Sequence, residues 1–210
     1  MDVPNFPPYA WFDNDRLTSL PTEEKPEHLY GNPGPACPDW ELEAMIPTFT
    51  DRAVAFIEEQ AEQSDPFFLY FPLTSPHSPV VPNKPFVDRS GIGNYGDFVC
   101  EIDDLVGQLI DALDRTVQRE NTLIVFTSDN GPENQVGDDE GAYNRAERTD
   151  HFSMGSWRGI KRDAWEGGHR LPFIVSWPAA VTAGTTCDHL ACLGDLFATC
   201  ADILSIGLPD

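Results

Sequence analysis

A short apolar run, Leu123 to Phe126, breaks off at Asp129 and Asn130, and Gly131 and Pro132 then turn the chain. A run this short, bounded by turn residues and rich in Ile, Val and Phe, reads as a buried strand rather than a helix. A long amphipathic stretch precedes it, and that order restricts the fold to an α/β sheet. The strand ends by presenting a carboxylate and an amide. In open α/β sheets, ligands bind beyond the carboxyl ends of the strands. Two hard oxygen donors there suit Ca²⁺ or Mg²⁺ better than zinc. Asp, Asn and Gly are also ordinary turn residues, so this cluster alone reads either as a site or as a turn.

The flanking pattern extends the same alternation. Thr50 with Asp51 in the next position suggests an N-cap, and Ala53, Val54, Phe56, Ile57 and Ala61 form a helical stripe. Phe67 to Phe71 is a second short apolar run, bounded by prolines, and predicts a buried strand. A helix is expected over about Tyr95 to Gln118, with Phe98, Ile102, Leu105, Leu109 and Leu113 on one face. Leu171 to Trp177 predicts a further strand, and Asp195 is expected to cap a last helix running to Leu204. Residues 131–159 carry no periodicity and read as a long loop. The expected fold is α/β with mostly parallel strands flanked by helices. Residues 1–48 read as irregular, with a hairpin of Tyr9–Phe12 and Arg16–Leu20, and residues 49–210 as the α/β core.

Charge bounds the partners. A net charge of −22 over 210 residues argues against nucleic acid and against anionic membrane surfaces. An anionic substrate would need a local basic patch. The five cysteines, Cys37, Cys100, Cys187, Cys192 and Cys200, include no C-x-x-C pair. They indicate neither a disulfide scaffold nor a zinc knuckle, and Cys100 and Cys200 lie in apolar helical patterns expected in the core. No apolar run reaches membrane-spanning length, and the first residues lack the pattern of a signal peptide.

Two further clusters carry chemistry. Thr74-Ser-Pro-His77-Ser-Pro79 follows the Phe67–Phe71 run, with prolines expected to hold the chain extended and stiff around His77. A His held this way can donate a proton or bind an oxyanion; it can equally be a loop His between turn prolines. The segment Gly159 to Pro172 concentrates Lys161, Arg162 and Arg170 in a chain poor in bases. Glu166 and Arg170 fit a structural ion pair, and Lys161 is read as an anion contact rather than a solvated lysine. Hard-metal oxygens, a fixed His and a Lys suit hydrolysis of a sulfate or phosphate ester. Metal and Lys would neutralise the non-bridging oxygens, and His would assist the leaving group.

In this order the clusters resemble the type I sulfatases, the arylsulfatase branch of the alkaline-phosphatase superfamily. The likeness rests on Tyr9-Ala-Trp-Phe-Asp-Asn-Asp-Arg-Leu17, Pro66-Phe-Phe-Leu-Tyr-Phe71 leading to Pro76-His77-x-Pro79, and Tyr95-Gly-Asp-Phe-Val99. Lys161-x₄-Glu166-Gly-Gly-x-Arg170-x-Pro172 is its most specific signature, and Asp195-Leu-Phe-Ala-Thr199 closes it. The resemblance implies that Asp129 and Asn130 ligate a divalent metal, usually calcium. It implies that His77 and Lys161 contact the sulfate in catalysis, and that His151 is a lesser substrate contact. Asn at position 130, where the superfamily's zinc phosphatases and phosphodiesterases tend to carry His, favours one hard metal ion and hence a sulfatase. The implied substrate is a small-molecule or carbohydrate sulfate ester. Members of this type are often periplasmic or secreted.

The departure from the family is equally specific. No Cys- or Ser-x-Pro-Ser-Arg motif, whose first residue becomes formylglycine, occurs in the sequence. The nearest pattern, Ser19-Leu-Pro-Thr-Glu23, has Glu where Arg is required. The Asp pair expected on the family's first strand is missing too. The expectation is a partial sulfatase catalytic domain, its first strand and C-terminal subdomain absent, inactive on its own. Two alternatives stand beside it: a phosphomonoester or phosphodiester hydrolase of the same superfamily, and a non-catalytic anion- or calcium-binding fragment.

Overall fold

The computed structural model describes residues 4–29, 31–134 and 141–208. Two antiparallel pairs open the chain: β1 (Phe12–Asp13) with β2 (Arg16–Leu17), and β3 (Glu23–Glu24) with β4 (Pro35–Ala36). The first is the expected hairpin, shortened to Phe12–Leu17. Both pairs wrap Tyr9, which is wholly buried, donates its hydroxyl to the Asn32 carbonyl at 2.7 Å and packs on Trp40 with ring centroids 4.9 Å apart. Ala36, Cys37, Leu42 and Met45 complete this cluster.

Helix α1 (Met45–Ala61) starts before the expected cap. Thr50 lies inside it, buried, and returns its hydroxyl to the Ile46 carbonyl at 2.7 Å. The helix can begin ahead of Pro47 because a first-turn residue has no intrahelical N–H bond to lose. Helix α2 (Asn94–Arg115) packs along α1 with the expected stripe; Phe98, Ile102, Leu105, Ala112 and Leu113 are all buried. Asp97 anchors its start by accepting hydrogen bonds from the Asp88 and Ser90 amides, each at 2.8 Å.

Residues 67–73 do not form the expected strand. They run extended with a pleated alternation: Phe67, Leu69, Phe71 and Leu73 lie against the α1–α2 core, while Phe68 and Tyr70 are 79% and 76% exposed. A strand needs a partner ladder, and among the described residues the backbone of 67–73 makes no hydrogen bond. Strand β5 (Ile124–Thr127) follows α2 and pairs with β6 (Phe173–Ser176), Ile124 opposite Ser176 and Thr127 opposite Phe173. This pair is antiparallel, against the expected mostly parallel sheet. Alternation of helices and apolar runs says that strands are present, whereas direction depends on how the long connection returns, and an antiparallel edge strand is common in such sheets.

Phe67, Leu69 and Ile124 share the cluster around Leu113, near the end of α2. Phe71 and Leu73 pack toward Phe98, near its start. Residues 67–73 thus run from the C-terminal end of α2 toward its start, and β5 begins near that same C-terminal end.

The stretch expected to be loop contains α3 (Ala142–Thr149). Its buried side is Ala142, Arg145 and Ala146, so it shows no apolar stripe. A single turn, α4 (Glu166–His169), precedes β6, and α5 (Asp195–Ile203) closes the chain. Helix α5 touches no other described helix or strand, and Leu190 and Phe197 are 96% and 67% exposed. The described buried apolar residues end at Met154. Cys100 and Cys200 are only half-buried, and Cys37 is the buried thiol; for Cys200 the reason is the uncovered face of α5. No described helix is long and apolar enough to cross a membrane.

Candidate active site

Strand β5 delivers Asp129 to an exposed position and Asn130 to a half-buried one. Asn130 Nδ2 donates to the Gly131 carbonyl at 3.0 Å, and Ser128 Oγ donates to the Asn130 carbonyl at 3.1 Å. These bonds hold the tip and leave the Asp129 carboxylate and the Asn130 Oδ1 as hard oxygen donors.

The Lys161 loop folds directly onto this tip. Gly131 N donates to the Gly168 carbonyl at 2.9 Å, and Lys161 N donates to the Pro132 carbonyl at 2.8 Å. Gly131 and Gly167 are required here, because a Cβ on Gly131 would run into the Gly167 carbonyl and one on Gly167 into the Gly159 carbonyl. Arg162 Nε lies 2.8 Å from Glu133 Oε2, an ion pair not aligned as a hydrogen bond. Glu133 Oε1 accepts from the Asn134 amide at 2.8 Å, and the Glu133 carbonyl accepts from Ala142 at the start of α3. Arg170 pairs with Glu166 at 3.1 Å, as its spacing suggests. Lys161 is half-buried and has no carboxylate partner among the described residues.

His77 stands apart from these groups. It is exposed, in a turn rather than an extended segment. Its Nδ1 donates to the Ser78 carbonyl at 2.6 Å, which leaves Nε2 as the outward ring nitrogen. The small cavity beside it is lined by Thr74, Glu43, Pro79, Val81 and Phe98, and by no residue of the Asp129 or Lys161 segments. The two groups nevertheless share an end of α2. His77 adjoins Phe98, and α3, tied to Glu133, places the Arg145 guanidinium 3.5 Å from the Tyr95 ring centre. His151 is exposed, just past the left-handed Asp150 that ends α3 (φ 58°).

The donors at the tip match a hard cation in kind. In number they fall short, since Ca²⁺ takes six to eight oxygens and no described group of three or more His, Cys, Asp or Glu residues is placed to hold a metal. Glu133 and Arg162 were not singled out as a pair from the sequence. Their signal, an acid just past a strand tip and an arginine beside the key lysine, is faint at a separation of 29 positions.

The Sulfatase family profile matches residues 9–206. Over 171 residues the chain is 37% identical to the N-acetylgalactosamine-6-O-sulfatase of Bacteroides thetaiotaomicron, covering 81% of this chain and 32% of that protein. It is 33% identical over 182 residues to an arylsulfatase of Hemicentrotus pulcherrimus, covering 87% and 30%. A solved structure from work on glycosaminoglycan metabolism by B. thetaiotaomicron superposes with a TM-score of 0.74 at 37% identity, covering 81% of this chain and 35% of that one. Ps i-CgsB in complex with k-i-k-neocarrahexaose gives a TM-score of 0.69 at 27% identity, covering 81% and 36%. The chain spans about a third of the length of the curated relatives it matches. It shares the alkaline-phosphatase-like α/β fold of these sulfatases. By profile, by identity and by fold, the chain belongs to the sulfatase family, a family of hydrolases.

Proposed function

We propose that this chain carries the sulfate-recognition part of a sulfuric ester hydrolase acting on a small-molecule or carbohydrate sulfate ester. The observation that carries the reading is the backbone clamp of the Lys161 loop onto the Asp129–Asn130 tip through Gly131–Gly168 and Pro132–Lys161. It brings the segment of Lys161 against the segment that carries the Asp129 and Asn130 oxygens, in a member of the sulfatase family. The names of the relatives, which include a galactosamine-6-sulfatase and a protein bound to a carrageenan oligosaccharide, support a sulfated carbohydrate.

In this reading Lys161 draws the sulfate in and offsets the charge on its non-bridging oxygens. Asp129 and Asn130 would hold Ca²⁺ or Mg²⁺, with further ligands from elsewhere in the whole protein; the ion would add Lewis-acid stabilisation of the same oxygens. His77, with Nδ1 bound to Ser78, presents Nε2. In the whole protein, where a nucleophile from outside these residues would take the sulfuryl group, protonated His77 would give its proton to the ester oxygen as that oxygen leaves with the S–O bonding pair. His151 is a lesser contact at the rim. Asn rather than His at position 130 favours this reading over a phosphoester hydrolase.

Because the formylglycine motif is absent from the sequence, the 210-residue chain binds a sulfate ester without turning it over. We read it as part of a catalytic domain, with 49–210 as its α/β core. The backbone of 67–73, which has no partner among the described residues, and the open faces of β6 and α5 support this reading, as surfaces for the rest of the domain, including its first strand and C-terminal subdomain, to cover. Calorimetry with 4-nitrophenyl sulfate in the presence of Ca²⁺ tests it. Binding that Lys161→Ala abolishes, with no release of nitrophenol, is expected. Turnover by this chain, or binding indifferent to Lys161, contradicts it.

A further inference from the structure

Beside Lys161 the same loop builds two stacked cation–aromatic pairs. The Arg170 guanidinium carbon lies 4.3 Å from the centre of the Trp157 ring, and that of Arg158 lies 4.0 Å from the centre of Trp165. The pairs adjoin, since Trp157 and Arg158 are consecutive. Backbone bonds fix the frame: Trp157 N donates to the Met154 carbonyl at 3.2 Å and Gly167 N to the Arg158 carbonyl at 2.8 Å. Even so, Trp157 and Trp165 remain 43% and 51% exposed. Glu166 orients Arg170 at 3.1 Å, whereas Arg158 has no carboxylate partner among the described residues.

This arrangement matches one ligand chemistry. Indole faces pack against the C–H face of a pyranose, and guanidinium groups donate paired hydrogen bonds to sulfate oxygens at its edge. Four of the chain's 13 basic residues, Arg158, Lys161, Arg162 and Arg170, fall within residues 157–170, while the net charge is −22. A polyanionic sugar repelled by most of this surface finds its local positive charge here, within the screening length of about 8–10 Å at physiological salt.

We propose that Trp157–Arg170 and Trp165–Arg158 form a sugar subsite adjoining Lys161, which takes a neighbouring residue of a sulfated oligosaccharide. This rests on the sulfate-ester reading of the Asp129–Lys161 site and adds a second contact to it. The substrate is then an oligosaccharide rather than an isolated aryl sulfate.

The test is calorimetry on the full chain with Ca²⁺ at fixed ionic strength, using a chondroitin 6-sulfate tetrasaccharide, its desulfated form and 4-nitrophenyl sulfate. The sulfated tetrasaccharide is expected to bind about tenfold or more tighter than either of the others. Trp157→Ala removes that advantage and Trp157→Phe restores part of it. Arg158→Gln, a change at an exposed side chain, repeats the loss should Trp157→Ala fail to fold by circular dichroism. No preference for the sulfated tetrasaccharide, or full preference in both Trp157→Ala and Arg158→Gln, overturns the subsite. Failure of the underlying sulfate-ester reading looks different: 4-nitrophenyl sulfate fails to bind or ignores Lys161→Ala, while the tetrasaccharide still depends on Trp157.

Discussion

Arg162 Nε lies 2.8 Å from Glu133 Oε2, and this pair fastens the loop of Lys161 to the strand end of Asp129 and Asn130. Two segments 29 positions apart thereby meet on one surface. The Arg162 side chain is 68% exposed and that of Glu133 only 19%. Solvent therefore screens the attraction, and Glu133→Gln is expected to cost about 1 kcal/mol or less in stability. Its larger effect falls on position: affinity for 4-nitrophenyl sulfate drops several-fold as the Lys161 loop loosens. Thermal unfolding and calorimetry on one sample separate the two effects.

Gly131→Ala tests the backbone clamp. The new Cβ meets the Gly167 carbonyl and Gly168 Cα, both backbone atoms, so the loop must shift. Urea unfolding should show a loss of about 1–3 kcal/mol, with weakened sulfate binding. Gly107→Ala is the opposite case. Gly107 lies inside α2, and a methyl group added there would meet nothing within 4 Å, so the same substitution should stabilise by about 0.5–1 kcal/mol.

Asp97 gives the fold an acid-sensitive point. Burial raises its pKa, but hydrogen bonds from Ser90, Asp88 and Arg89 favour the carboxylate and outweigh it, so the pKa is lowered. A carboxylate lowered on folding contributes stability above its unfolded pKa, about 3.9. That contribution is lost as pH falls through the still lower folded value. Unfolding midpoints measured from pH 6 down to about pH 2 should fall less steeply for Asp97→Asn than for the parent chain.

The core between the helices sets the overall stability. Leu105 is 2% exposed, between Ile46 and Phe98. Leu105→Ala should cost about 2–5 kcal/mol by the lost transfer energy and the cavity left behind. Leu190→Ala, at a side chain 96% exposed, should change stability by less than about 0.5 kcal/mol in this chain. Urea titration checks both.

Local signals were the legible ones. The stripe from Phe98 to Leu113 defines α2, and the run at Ile124–Thr127 with its polar stop defines β5. What escaped the sequence depends on distant partners. Residues 67–71 have the composition of a strand, yet no described ladder pairs with them. The direction of β6 is set by a long return that leaves no mark on its residues. Helix α3 hides because its buried face includes Arg145, which stacks on Tyr95 and donates to Ser153 Oγ at 2.6 Å; a polar residue turned inward breaks the hydrophobic period. Within the site, the Lys161 and Asp129–Asn130 segments do meet as their chemistry suggested. His77 remains a separate group at the same end of α2, because no described contact joins its turn to the others.

The central claim is that Lys161 and the Asp129–Asn130 tip act together on a sulfate ester. Calorimetric titration of 4-nitrophenyl sulfate into the parent chain, Asp129→Ala and Lys161→Ala, each with and without Ca²⁺, tests it most directly. The account predicts that Ca²⁺ strengthens binding to the parent, that Asp129→Ala removes this Ca²⁺ effect, and that Lys161→Ala abolishes binding in both conditions. Equal affinity in all three proteins, with or without Ca²⁺, would contradict it.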